Sequence, residues 1–224
     1  MWTFISTGHL ASCGVLRAER TVSCSGHCES SLYLAVGILA VLAGSAEIGI
    51  GFVASAFAFS EGVHSLADGG ADFYGKRIVR KVKENPSEER EIRKRGSFII
   101  AGLLVLAAVP ILWEMWRRFE GVESPSASLM VLAGVVATTI NSVRWVWLRL
   151  AQRHGPTSTR EDLIDHAKTD TWHGMYLFTA GAVLLDHADE WSMNTQLFVD
   201  LALSGGVFCY ILWRAWSIVK RHEH

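Results

Sequence analysis

Apolar and polar positions in this chain are not interleaved with the short period of a surface helix; they alternate in long blocks. Apolar stretches occupy residues 31–55, 56–75, 97–116, 127–148, 163–185 and 197–219, with short polar or charged segments between them. A bilayer core of about 30 Å takes roughly 20 apolar residues per helix. The pattern therefore predicts an all-α, polytopic membrane protein with six transmembrane helices set in a lipid bilayer. The second helix follows the first almost at once, so Ser55 and its neighbours must make a tight turn.

Charge placement orients these helices. Residues 76–95 hold nine Lys or Arg and four Glu, whereas the connections on the other side hold Arg117 and Arg118 and, between the fifth and sixth helices, no basic residue. Cytoplasmic loops collect Lys and Arg, so 76–95 reads as a solvated inner loop. Arg149, Arg153 and Arg160 after the fourth helix, and Arg214, Lys220 and Arg221 at the end of the sixth, lie on the same side, which makes both termini cytoplasmic. Trp113 and Trp116 fall where an outer aromatic belt would lie. Trp145 and Trp147 fall at the inner one, toward which Arg144 is expected to snorkel.

Composition changes the picture little. Half of the 224 residues are hydrophobic, 19% are charged and the net charge is −1, and no basic patch interleaved with aromatics points to nucleic acid. Residues 1–30 lack the apolar core of a cleavable signal and read as a cytoplasmic leader. Cys24, His27 and Cys28, with His9 and Cys13 nearby, offer soft ligands for metal capture there, set against a polar tail with incidental thiols. Four cysteines, one of them Cys209 inside the last helix, make no disulfide framework. Residues 31–219 form the transmembrane domain and 220–224 a short tail with no soluble domain.

The chemistry lies where ionisable groups interrupt the apolar blocks. In the second helix Glu61, His64, Asp68 and Asp72 are spaced by three, four and four residues and so form one stripe. In the fifth, His166 and Asp170 repeat the His-x-x-x-Asp spacing. Ionisable side chains at membrane depth are costly unless paired or functional. Two such pairs facing each other supply two imidazoles and two carboxylates, a donor set for a tetrahedral divalent metal: zinc first, then cobalt, cadmium, nickel or iron. Rough helix boundaries leave the two motif centres about 10 Å apart in depth at 1.5 Å per residue, a gap the fold must absorb.

Other polar groups have blander readings beside functional ones. Glu61 is a release guide or a solvated rim. His173 is an extra ligand, a proton relay, or a structural His packed by Trp172 and Tyr176. Asp72 and Asp165 attract cations at the inner mouth or are simply solvated. Lys168 points away from the His166–Asp170 face, Asn141 reads as an interhelical hydrogen bond, Glu47 as a carboxylate near the outer end reaching water or a neighbouring helix, and Asp200 as one facing water at the outer start of the sixth helix. His187 with Asp186, Asp189 and Glu190 makes an exposed acidic turn. An intramembrane metalloenzyme would need an open metal position and a general base, and no His-Glu-x-x-His motif is present.

The segment from Gly51 through Ser55-Ala-Phe-Ala-Phe-Ser-Glu61-Gly-Val-His64-Ser-Leu-Ala-Asp68, together with His166 and Asp170, resembles the cation diffusion facilitators. Glu61 stands where that family commonly has Asp, the inner half of the second helix is unusually polar, and the cytoplasmic ferredoxin-like domain of most members is missing, as in a short member. The resemblance implies efflux of a divalent metal by proton antiport with alternating access, no enzymatic activity, no resident cofactor, and a homodimer contacting through the third helix. The expected location is the cell membrane, specifically a bacterial inner membrane. A non-transporting metal sensor or membrane partner on the same scaffold is the alternative of another class.

Overall fold

The computed structural model describes residues 21–121, 123–152 and 158–220, with side chains for 33–121, 123–150 and 164–220. Among these residues there are six long helices and no strand: α1 (Thr21–Ala54), α2 (Ala56–Glu84), α3 (Glu89–Gly121), α4 (Ala127–Gln152), α5 (Ser158–Asp186) and α6 (Met193–Lys220). The chain is an all-α, polytopic membrane protein. Cys24, His27 and Cys28 fall on the first turns of α1, outside the described side chains, and His9 and Cys13 lie outside the described residues altogether.

Most of the helices run past the apolar blocks, and the 76–95 segment is not a loop. It continues α2 to Glu84, turns once through Pro86–Glu88 and starts α3 at Glu89. Lys, Arg and Glu are good helix formers, and here they add exposed ion pairs one turn apart, Arg80–Glu84, Arg93–Glu89 and Arg95–Glu91. Such pairs contribute only a few tenths of a kcal/mol each. Asn85 and Pro86 are what break the helix, since proline disfavours helical backbone before it.

Four segments are long and apolar enough to cross a membrane: Tyr33–Ala54, Pro86–Gly121, Ala127–Leu150 and Met193–Lys220. The two helices left out, α2 and α5, carry the ionisable stripes. Packing resolves the conflict for α2, whose residues Ala56 to Ser65 are all buried and which touches each of the other five helices. A polar stripe that would be costly against lipid is wrapped by protein instead.

The helices associate chiefly as α1 with α2, α4 with α5, and α3 with both α2 and α6. In the first two pairs, backbone meets backbone across small residues, the usual device in membranes. A Cβ on Gly62 would lie 2.5 Å from the Ile48 nitrogen, and one on Gly174 would lie 2.7 Å from the Thr138 nitrogen. Little direct packing joins α2 to α5.

One residue, Ser55, separates α1 from α2, so both helix ends must find partners at once. At the α1 end, the carbonyl of Gly51 accepts from the Ser55 amide and from Arg118 Nη2, that of Phe52 from Arg118 and Arg117, and that of Ala54 from the Ser126 amide. Arg118 is 1% exposed and ion-paired to a fully buried Glu114 at 2.8 Å. At the α2 end, Ser55 Oγ caps the Ala58 amide. Asp200 on α6 accepts from Ser55 Oγ at 2.6 Å, the Ala56 amide at 2.8 Å and the Phe57 amide at 3.0 Å.

Asp200 is thus fully buried, and not at the outer surface as the sequence suggested. Glu47 is also buried, accepting from Ser65 Oγ at 3.0 Å. Glu47 thus reaches a neighbouring helix, one of the two readings its sequence position allowed, whereas Asp200 lies beneath neighbouring chain. Cys209 departs in the opposite sense and is exposed on α6. Asp200→Ala leaves three buried donors without an acceptor at a helix N-terminus and is expected to cost about 3 kcal/mol. The drop in melting temperature of the detergent-solubilised protein, compared with a Phe198→Ala control on the exposed face of α6, checks this.

Candidate metal centre

The site forms where the ionisable stripes of α2 and α5 face each other, so the depth gap left by the sequence-based helix boundaries is closed. His64 and Asp68 of α2 meet His166 and Asp170 of α5: Asp68 Oδ2 lies 3.3 Å from His64 Nε2 and 3.0 Å from His166 Nε2. Asp170 completes the group, with Oδ1 4.0 Å from His64 Nε2 and Oδ2 3.8 Å from His166 Nε2. Tetrahedral zinc with bonds of about 2.0–2.1 Å spaces its donors about 3.4 Å apart; the two Asp68 contacts lie near that value, and the potential ligands fall into two triads that share Asp170.

Two arginines organise the carboxylates. Arg214 donates to Asp68 Oδ1 at 3.1 Å, and Arg144 donates to Asp170 Oδ2 at 2.6 Å and to Asp72 Oδ2 at 3.0 Å. Asp68 and Asp170 therefore each have one oxygen held by a guanidinium and one left over. The leftover atoms, Asp68 Oδ2 and Asp170 Oδ1, are buried without a hydrogen-bond partner, as are both ring nitrogens of His64. Buried polar atoms are nearly always satisfied, so a cluster of orphans turned toward one another is what a cation site looks like without its cation. The arginines orient the ligands in the manner of outer-shell partners.

Neither arginine was legible as part of the site. Arg144 was expected to snorkel to the inner surface, yet it is fully buried. The available signal was its helical face: it follows Asn141 by three residues, and Asn141 is 2% exposed on the same side of α4. Arg214 reads in sequence as one more inner-surface charge, but it is half-buried and follows Tyr210 by one turn, on a face that reaches the histidines.

The remaining candidates separate clearly. Glu61 is buried and not on a solvated rim; its Oε2 lies 3.6 Å from His173 Nδ1. His173 is packed not by Trp172 and Tyr176, both exposed, but by His64 and Tyr210, with ring centroids 5.4 and 5.0 Å away. Asp72 is buried and paired with Arg144, not solvated at the mouth. Asp165 and Lys168 are exposed. His187 accepts or donates at 3.0 Å to Glu190 and stacks on Trp191 in the exposed turn.

Two cavities approach the cluster from opposite sides. One of about 470 Å³ is lined by Phe57, Glu61, His173, Gly206 and Tyr210, among others. The other, of about 360 Å³, is lined by Asp68, Asp72, His166, Arg214 and Arg93, among others. No residue lines both, and His64 and Asp170 lie between them.

Six helices, four of them long and apolar enough to cross a membrane, around a buried set of imidazoles and carboxylates define a polytopic membrane protein with a metal-capable core. Residues 32–222 match the cation efflux transmembrane domain, and the chain belongs to that family. It is a metal-cation efflux transporter and not an enzyme. No curated protein matches the chain in sequence.

Proposed function

We propose that the protein exports a divalent transition metal, zinc first among them, by proton antiport through a tetrahedral site of His64, Asp68, His166 and Asp170. The observation that carries this reading is the set of buried, unpartnered atoms on His64, Asp68 and Asp170 beside His166 Nε2. Two histidines with two carboxylates suit zinc, while cobalt, cadmium, nickel and iron accept the same donors. Metal binding needs neutral imidazoles and ionised carboxylates, so metal and protons compete for one set of atoms. Separate cavities on the two sides of the cluster suit a site opened to one side at a time.

The competition fixes a sign. As pH falls, protons take the imidazole and carboxylate atoms that the metal needs, and apparent zinc affinity falls. An acidic exterior therefore favours release and an inward proton gradient drives export. In proteoliposomes, zinc flux is expected to scale with an imposed pH gradient and to collapse with a protonophore, and binding in weakly buffered solution to release protons. Flux indifferent to the gradient would remove antiport, and metal binding with no flux for any metal would favour the sensor or partner reading.

The basic helix extensions face the cytoplasm by the positive-inside rule, in the cell membrane of a bacterium. A homodimer follows from the family resemblance, with the exposed apolar face of α3, including Leu106, Val109 and Trp113, as its contact. Light scattering showing one copy per detergent micelle would overturn the dimer.

A further inference from the structure

The donor atoms extend beyond four residues. His64, Asp170 and His173 each bring a ligand atom within 4.8 Å of the other two, and Asp68, His166 and Asp170 do the same. The two triads share Asp170, and His64 touches both, through its contacts with Asp68 at 3.3 Å and with the His173 ring. They face opposite cavities: His173 lines one, Asp68 and His166 the other. Glu61 lines the same cavity as His173 and holds its Oε2 3.6 Å from His173 Nδ1.

The unsatisfied atoms follow the same division. His64 has two ring nitrogens without a partner, one more than the four-ligand site can use, and His173 Nδ1 is a further buried orphan. An imidazole 1% exposed with neither nitrogen bonded is costly in a dry interior. Tyr210 sets its ring edge-on to both histidines, with centroids 5.5 and 5.0 Å away, which holds the two rings next to each other at a tilt of 52°. A histidine serving only as packing would not need a buried carboxylate at its free nitrogen.

We propose a second metal position, made by His64, Asp170, His173 and Glu61, that the cation occupies between the four-ligand site and the outer cavity. This rests on the reading of His64, Asp68, His166 and Asp170 as the transport site. Two ligands, His64 and Asp170, are common to both positions, so one ion is held at a time. Moving outward, it exchanges Asp68 and His166 for His173 and Glu61 and is four-coordinate at both positions. The donors are again two imidazoles and two carboxylates, which matches the preference of zinc and cobalt at both ends of the step.

Cobalt(II) added to the purified full-length protein tests this, because four-coordinate cobalt absorbs far more strongly in the visible than hexaaqua cobalt. The Asp68→Ala/His166→Ala variant, which removes the ligands exclusive to the inner position, is expected to keep one cobalt ion with four-coordinate absorption. Adding His173→Ala should abolish it. His173→Ala alone, with the inner set intact, is expected to bind cobalt within about threefold of wild type while zinc flux in proteoliposomes falls at least about tenfold. Wild-type flux in His173→Ala and in Glu61→Gln overturns the proposal, as does loss of cobalt from the Asp68→Ala/His166→Ala variant when the wild type binds it. A wild type that binds no cobalt instead overturns the four-ligand reading on which the second position stands.

Discussion

Asp170→Ala lowers zinc flux in proteoliposomes by at least about 100-fold and weakens zinc binding by a similar factor, which is about 2.7 kcal/mol. Asp170 is the residue common to both groups of potential ligands. Its Oδ1 is one of the orphaned buried atoms, and its Oδ2 anchors Arg144. Removing the carboxylate therefore takes away a donor and also frees the guanidinium that holds the cluster together. Isothermal titration and flux assays with zinc, cobalt, cadmium, nickel and manganese measure both effects, and the surviving order of the metals in the wild type ranks the substrates. Flux above a tenth of wild type in Asp170→Ala would remove this residue from the transport path.

Arg144→Met destabilises the metal-free protein by about 3–5 kcal/mol, the usual consequence of leaving a buried charge without its partner. Arg144 is the only Lys or Arg paired with Asp72 and with Asp170 in the described residues. Without it two carboxylates remain in a dry interior. Zinc supplies positive charge to Asp170, so the rise in melting temperature on adding saturating zinc is expected to be larger in the variant than in the wild type. Arg144→Lys should recover little, since one ammonium lacks the fork that reaches two carboxylates at 2.6 and 3.0 Å. A metal-free Arg144→Met protein that melts with the wild type would show that these pairs carry no weight.

Much of this architecture is legible in the chain. Six apolar blocks announce six helices, and the repeated His-x-x-x-Asp spacing announces the two pairs that meet at 3.0 Å between His166 and Asp68. What the spacing cannot announce is which charges turn inward. Arg144, Arg214 and Asp200 each sit near a helix end or beside other charges in sequence, where contact with water is the natural expectation. Their burial depends on helices remote in the chain: Asp200 meets residues more than 140 positions away, and Arg144 meets Asp72 across 72. Local periodicity carries no information at that range. The charged run at 76–95 misleads for a different reason, since hydrophilic composition says nothing against helix when the residues are Lys, Arg and Glu.

The glycines that bring α1 onto α2 and α4 onto α5 have an effect beyond close packing. Helices whose backbones touch have no lateral play, so each hairpin is a stiff unit. Between α2 and α5 there is little direct packing, and what spans that boundary is largely side chains: the histidine and carboxylate donors and the two-pronged Arg144. The two hairpins are joined instead where α1 packs on α4, and the Ala54 carbonyl there accepts from the Ser126 amide. The donor side chains therefore meet across a seam that backbone packing leaves open, and glycine content is what distinguishes that seam from the close-packed ones.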